Sequence, residues 1–427
     1  MKTLIPTVKG ARDFYPEEMA LRNWLYGAIR RVSEQYGYQE YDGPFLEKID
    51  LYAAKSGEEL VKEQAFVFPD RGGDLITLRP ELTPSLTRMV AQRQNQLTLP
   101  LRWWSFGPFW RYEKPQKGRS REFFQWNIDL IGASSPEADA ELIAIIAEFF
   151  KSLGLTPDEV SIRINNRELV NAELSQLGIA EDLHKKTLGL IDRHDKLRHT
   201  DWEAYGFEIG LTQDQLEGLV KLINDQTLWQ KSVELQKLFA TLEVLGVQDY
   251  TCYDPQVIRG LDYYTGTVFE ATDSKKEFRA ILGGGRYDNL VADVGGSPLP
   301  GIGFAMGDMV IGLVLQKYGH IPEFPASPAP VLVTVFDEDS HAESLSLASE
   351  LRLAGLKVSS YPDPVKLQRQ LKYADRIAVP VVVILGPDEI ASQKVTIKDL
   401  LTRTQQTVSR GQVVQAIKEM LASTNPS

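Results

Sequence analysis

Cysteine is the scarcest residue in this 427-residue chain. Cys252 stands alone, so no intrachain disulfide and no cysteine-built zinc cage can form. Histidine is scarce as well. The five present (His184, His194, His199, His320 and His341) form no HExxH pair and lie outside every motif discussed below. That argues against a structural metal site and against a histidine-based catalytic triad. No Walker A lysine motif occurs, and the glycines of 301–307 are spaced G-x-G-x-x-x-G, which is not the dinucleotide fingerprint. Long apolar runs and a signal-like N-terminus are also missing, so the expectation is a cytoplasmic enzyme with no membrane partner. Positive charge is in deficit overall, at a net −11. Nucleic-acid binding depends on a local patch rather than on the total. Residues 102–121 carry six basic side chains against one acidic one, so a positive mouth on an acidic body stays open.

The chain is long enough for two or three domains, each with its own core. Its most informative stretch is 102–132, RWWSFGPFWRYEKPQKGRSREFFQWNIDLIG. Residues 102–113 are rich in aromatics, which favour a pleated, half-buried surface. Residues 122–131 alternate: Phe124, Trp126, Ile128 and Leu130 point one way, and Phe123, Gln125, Asn127, Asp129 and Ile131 the other. Between the two expected strands lie Lys114, Lys117, Arg119 and Arg121, with Pro115 and Gly118 to shape the turn. A cationic loop over a polar sheet face suits a polyphosphate; a solvated basic hairpin accounts for the same pattern.

Upstream, 16–36 reads as an amphipathic helix with Pro16 at its start and Gly37 after its end. A strand broken at Gly43-Pro44 follows. Residues 76–79 read as a short strand, after which Thr83 is expected to cap a helix beginning at Pro84. Glu81 and Thr83 then sit at a strand-to-helix turn able to hold an ammonium group, or to serve only as a capping turn. From 166 to 249 the text becomes helical and charged. A strand holding Asp262, Tyr263 and Tyr264 and a second from 278 with the triplet Gly283–Gly285 resume the sheet. A proline-rich linker at 322–330 precedes alternating strands and helices, expected to form a mixed sheet covered by helices.

Two motifs, 102–132 and VIRGLDYYTGTVFEA at 257–271, resemble histidyl-tRNA synthetase, a class II aminoacyl-tRNA synthetase, and the similarity spans nearly the whole chain. The resemblance implies an α+β fold: an antiparallel-sheet catalytic core (1–165 and 250–321), a helical insertion (166–249) and an α/β anticodon-binding domain (331–427). It implies activation of L-histidine by ATP with Mg2+, transfer to tRNA(His), and a homodimer built around the first class II motif at Pro44. Arg111 and Arg259 are the implied catalytic cations at the α-phosphate. Glu81 and Thr83 would hold the α-amino group, and Gln125, Asp129, Tyr263 and Tyr264 the rest of histidine. Glu113 would lie near adenine, with Arg119 and Arg121 on the outer phosphates.

Three positions depart from the family pattern. Leu82 stands where many relatives have glycine, Asp129 where many have glutamate, and Val310 where many class II enzymes carry an arginine. With no charge at 310, Arg119 and Arg121 are expected to carry more of the ATP charge. Two rival readings are a histidine-sensing regulatory subunit of ATP phosphoribosyltransferase and an RNA-binding protein that has lost the chemistry.

Overall fold

The structure is a computed structural model that describes residues 4–53, 63–259, 263–325, 327 and 329–424. The chain divides into two compact units, Met1–Pro322 and Glu323–Ser427. Gly260 and Asp262, which belong to the 257–271 motif, lie outside the described residues.

An eight-stranded sheet dominates the first unit. Its strand order is Gln39–Glu40, Leu101–Trp110, Glu122–Ile131, Gly301–Gly307, Leu282–Tyr287, Thr267–Asp273, Val160–Asn166 and Thr251–Tyr253. The two outermost pairings are parallel and the five between them antiparallel. The alternation of 122–131 holds on the buried side, where Trp126, Ile128 and Leu130 are at most 1% exposed. They pack into one cluster with Leu25, Ala28, Ile29 and Val32 of helix Pro16–Gln35 and with the apolar helix Pro136–Ser152. Burial of each large aliphatic side chain there contributes about 1.5–3 kcal/mol.

Helices from Arg167–Gln176 to Val233–Val244 fill the stretch between Val160–Asn166 and Thr251–Tyr253. Leu174, Leu190, Trp202, Leu216 and Leu219 from these helices share that same buried cluster. The helical stretch and the sheet therefore have a continuous apolar interior.

Three local expectations change. Strand Leu101–Trp110 stops before Arg111, so Arg111 and Glu113 stand at the mouth of the ladder. Thr83 does not cap: helix Thr83–Arg93 begins on it, Leu82 occupies the N-cap position, and no side-chain cap bond forms. Leu82 is fully buried, and this core contact fixes the helix start where a hydroxyl cap was expected. Tyr263 and Tyr264 precede strand Thr267–Asp273, and the next strand begins only at Leu282, leaving 274–281 as a connecting arm.

The second unit carries a five-stranded mixed sheet in the order Val358–Ser360, Val331–Val333, Val381–Ile384, Lys394–Asp399 and Gln405–Ser409. Its first two pairings are parallel and its last two antiparallel. Val331, Val333, Val381 and Val383 on the parallel strands are fully buried, as a sheet covered by helices requires.

Candidate active site

A cavity of about 740 Å³ opens on the polar side of the eight-stranded sheet. Strand Glu122–Ile131 supplies part of its floor: Phe123, Gln125 and Asp129 face the cavity while the alternate residues fill the core. Asn127 is buried without lining the cavity, and its amide nitrogen has no hydrogen-bond partner among the described residues.

Asp129 ends up deep in the wall, 4% exposed, accepting a hydrogen bond from the Tyr287 hydroxyl at 2.5 Å. Gly303 lies opposite it in register, and a Cβ at that position would overlap the Asp129 carboxylate. The glycine is therefore the space in which the carboxylate sits. Burial pushes the Asp129 carboxyl up to about 7, against the opposing effect of the Tyr287 hydrogen bond.

Glu81 and Thr83 reach the cavity from the turn before helix Thr83–Arg93. Thr83 lies close to the Tyr263 hydroxyl, and the nearby Glu81 charge adds to the burial that raises the Tyr263 and Tyr264 hydroxyls. Arg111 donates from Nε to the Pro80 carbonyl at 3.0 Å and lies over the Phe123 ring.

Arg259 enters from the opposite wall. Its backbone is in the left-handed region (φ 59°), rare for a side chain of this size. Its guanidinium pairs with Glu270 at 2.7 Å and passes directly over Gly283, where any Cβ would collide with it. Glu270 also pairs with Arg163 at 2.6 Å, and Arg163 with Asp254 at 2.8 Å. Arg167 braces the backbone behind: its guanidinium donates to the carbonyls of Ile258 (3.2 Å), Tyr264 (3.1 Å) and Arg259 (2.6 Å).

The structure brings together Glu81, Thr83, Arg111, Glu113, Arg119, Gln125, Asp129, Arg259, Tyr263 and Tyr264, all of them cavity-lining. Arg121 is the exception. Its Nε donates to the Glu113 carbonyl at 3.2 Å and its guanidinium stacks on Tyr112, away from the cavity. Arg119 lines the cavity but forms an ion pair with Glu113. Neither loop arginine is thus an unengaged cation, contrary to the expectation that this pair takes over the charge missing at 310. Val310 itself is 8% exposed and lines the same cavity.

Sequence reasoning missed Arg163, Arg167 and Glu270 as a supporting set, as well as Asp192, Asp195 and Lys196, which the helical stretch contributes to the cavity. A signal existed for Arg163, a charge in the middle of an alternating buried strand. Glu270, the charge inside the apolar run at 268–271, gave the same signal, and none existed for the others, because their roles arise from contacts between distant segments.

The model of the family "Histidyl-tRNA synthetase" matches residues 10–309, and that of "Anticodon binding domain" matches 330–420. The chain is 36% identical to a histidine–tRNA ligase of Opitutus terrae, over 98% of this chain and 99% of the relative. The crystal structure of histidyl-tRNA synthetase from Nostoc sp. PCC 7120 superposes with a TM-score of 0.82 at 27% identity, covering 98% of this chain and 100% of that one. An ATP phosphoribosyltransferase regulatory subunit/histidyl-tRNA synthetase from Bacillus halodurans shares the fold, at 22% identity and TM-score 0.73, over 88% of this chain and 97% of that one. Matched through both of its units, the chain belongs to the histidyl-tRNA synthetase family.

Proposed function

We propose that this chain activates L-histidine with ATP and transfers the histidyl group to tRNA(His). The observation that carries the reading is one cavity in which Asp129, Gln125, Glu81 and the two tyrosines stand beside Arg111 and Arg259. Adenylate formation joins a carboxylate to the α-phosphorus of ATP, so two anions must meet. Fixed guanidinium groups reduce their repulsion and stabilise the charge that builds at the phosphorus. Arg111 and Arg259, on opposite walls, act there. Glu81 and Thr83 take the α-amino group, and Asp129 with a tyrosine hydroxyl takes the imidazole nitrogens. Glu113 lies toward adenine, and Arg119 meets the outer phosphates once it leaves Glu113. A site that hydrogen-bonds its substrate rejects analogues lacking those groups by about 10⁴–10⁵.

Magnesium arrives with ATP and is held mainly by phosphate oxygens and water. Among the described residues no three carboxylate, histidine or cysteine groups converge as a protein-only cage would need, and Glu113, Glu270 and Asp308 are engaged by arginines. The reaction belongs with the tRNA pool of the cytoplasm; no described helix is long and apolar enough to cross a membrane.

We further propose a homodimer through the three-stranded sheet Leu46–Lys48, Leu75–Leu78 and Phe66–Pro69. Register puts Leu46, Phe66, Phe68, Ile76 and Leu78 on one face, with the exposed Lys48 beside Ile76 at its edge, and Leu46 and Phe68 remain 50% and 40% exposed. An apolar sheet face left open in this way favours a partner surface. Light scattering of the purified protein should give twice the chain mass; a monomer at micromolar concentration would count against the dimer.

The uncharged Val310 favours one second reading, a chain that binds histidine without activating it. Histidine-dependent ATP–pyrophosphate exchange separates the two. A synthetase shows exchange with histidine and with no other amino acid, and a sensor shows none.

A further inference from the structure

Most cations of the cavity are already engaged. Arg119, Arg163, Lys196 and Arg259 are each held by a carboxylate. Arg111 is anchored on a carbonyl. Lys276 and Arg279 differ: both line the cavity, and among the described residues neither side chain has a hydrogen bond or an ion pair. They lie on the arm at 274–281, between strands Thr267–Asp273 and Leu282–Tyr287.

This arm is well anchored. The fully buried Asp273 carboxylate accepts hydrogen bonds from the backbone N–H groups of Glu277 and Phe278, each at 3.1 Å, and from Lys317 at 3.3 Å. The Phe278 ring lies under two ammonium groups, Lys117 at 5.1 Å and Lys317 at 5.5 Å. Lys117 belongs to the basic loop and Lys317 to helix Asp308–Tyr318, which also carries Val310. Gly118, next to Lys117, packs against Val310: a Cβ on the glycine would lie 3.4 Å from a Val310 methyl. Arm, basic loop and helix thus meet at one corner of the cavity, around the position that lacks a charge. At that corner Arg279 follows directly on the anchored Phe278.

We propose that Arg279, assisted by Lys276, binds the outer phosphates of ATP and supplies the charge that Val310 cannot. The proposal rests on the ATP-dependent reading above. A guanidinium presents a planar fork that matches phosphate oxygens, and one with no partner gives up no ion pair on binding. Arg119 must first leave Glu113, and Arg121 faces out of the cavity. Position 310 can therefore be apolar, and its side chain serves to pack the basic loop.

The test uses the full chain, with Arg279→Ala and Arg279→Lys. Arg279→Ala should raise the ATP requirement of histidine-dependent exchange by about ten-fold or more, the worth of one charge-assisted contact. The histidine requirement should stay within about two-fold. Calorimetry should show weakened ATP binding and unchanged AMP binding, because AMP has no outer phosphates. Arg279→Lys should recover most of the loss. A wild-type ATP requirement in Arg279→Ala, or equal weakening of AMP, overturns the assignment. Absence of exchange in the unmodified chain overturns the synthetase reading instead, so the two failures are separable.

Discussion

Asp129 is a carboxylate with almost no water around it, and this gives it two properties. Burial and the Tyr287 hydroxyl fix its position in the cavity wall. Burial also raises its carboxyl to about 7, far above an exposed aspartate. A folded-state value above the unfolded one means that the folded chain binds this proton more tightly. The associated stability is fully present below the unfolded value and is lost as pH rises through about 7. Between about pH 6 and about pH 8 the protein should lose about 1 kcal/mol through this group. Asp129→Asn carries no such proton. Urea denaturation at the two pH values should show the variant losing less stability than the unmodified chain across that interval. Histidine binding should fall at the same time. Equal losses in the two proteins would mean that Asp129 is ionised throughout.

Among the elements around the cavity, the segment carrying Arg259 is both strained and heavily braced. Arg259 has an unfavourable backbone conformation there, so neighbouring groups must hold it. Gly283 leaves room for the guanidinium, Glu270 directs it, and Arg167 ties down three carbonyls around it. Arg167 is also the first residue of helix Arg167–Gln176, whose start is capped by the Asn166 side chain. The helical stretch and Arg259 are therefore mechanically joined. Arg259→Ala should cut adenylate formation by about 10²–10³, the usual loss for one preorganised charge-stabilising group. Arg167→Lys, which cannot span three carbonyls, should cut it in the same direction but less. In Arg167→Lys the maximal exchange rate should fall while the histidine requirement barely moves. A rise in the histidine requirement alone would show that Arg167 shapes the amino-acid pocket and does not position Arg259.

At the scale of the molecule, every cavity residue belongs to the unit Met1–Pro322, and the strands of each sheet stay within one unit. A chain ending at Pro322 should fold and support histidine-dependent exchange. Lacking the segment that matches the anticodon-binding model, it should charge tRNA poorly. Aminoacylation assays on the shortened chain check both statements. Full charging activity would remove the tRNA role from residues 323–427, and loss of exchange would show that the first unit depends on the second.

Strand periodicity, the glycine and proline punctuation and the charge run at 102–121 were enough to locate the floor of the cavity, its basic loop and the break between the two units. These features are local: a side chain's face on a strand follows from its position in the chain, because successive side chains alternate. The alternation through Asp129 could be read without coordinates, whereas the end of strand Leu101–Trp110 before Arg111 could not. The start of helix Thr83–Arg93 could not, because burial of Leu82 in the core outweighed the capping preference of Thr83. Nor could the direction of Arg121, which depends on the ring of Tyr112 and the Glu113 carbonyl. The bracing of Arg259 by Arg167 and the convergence of the arm 274–281 on Val310's corner through Phe278 join segments far apart in the chain. Such contacts leave no periodic trace, since they are set by how the sheet, arm and helices pack. The sequence by itself determined the alternation and the charge runs, which are local, and packing decided which side chains line the cavity and which cations there stay unengaged among the described residues.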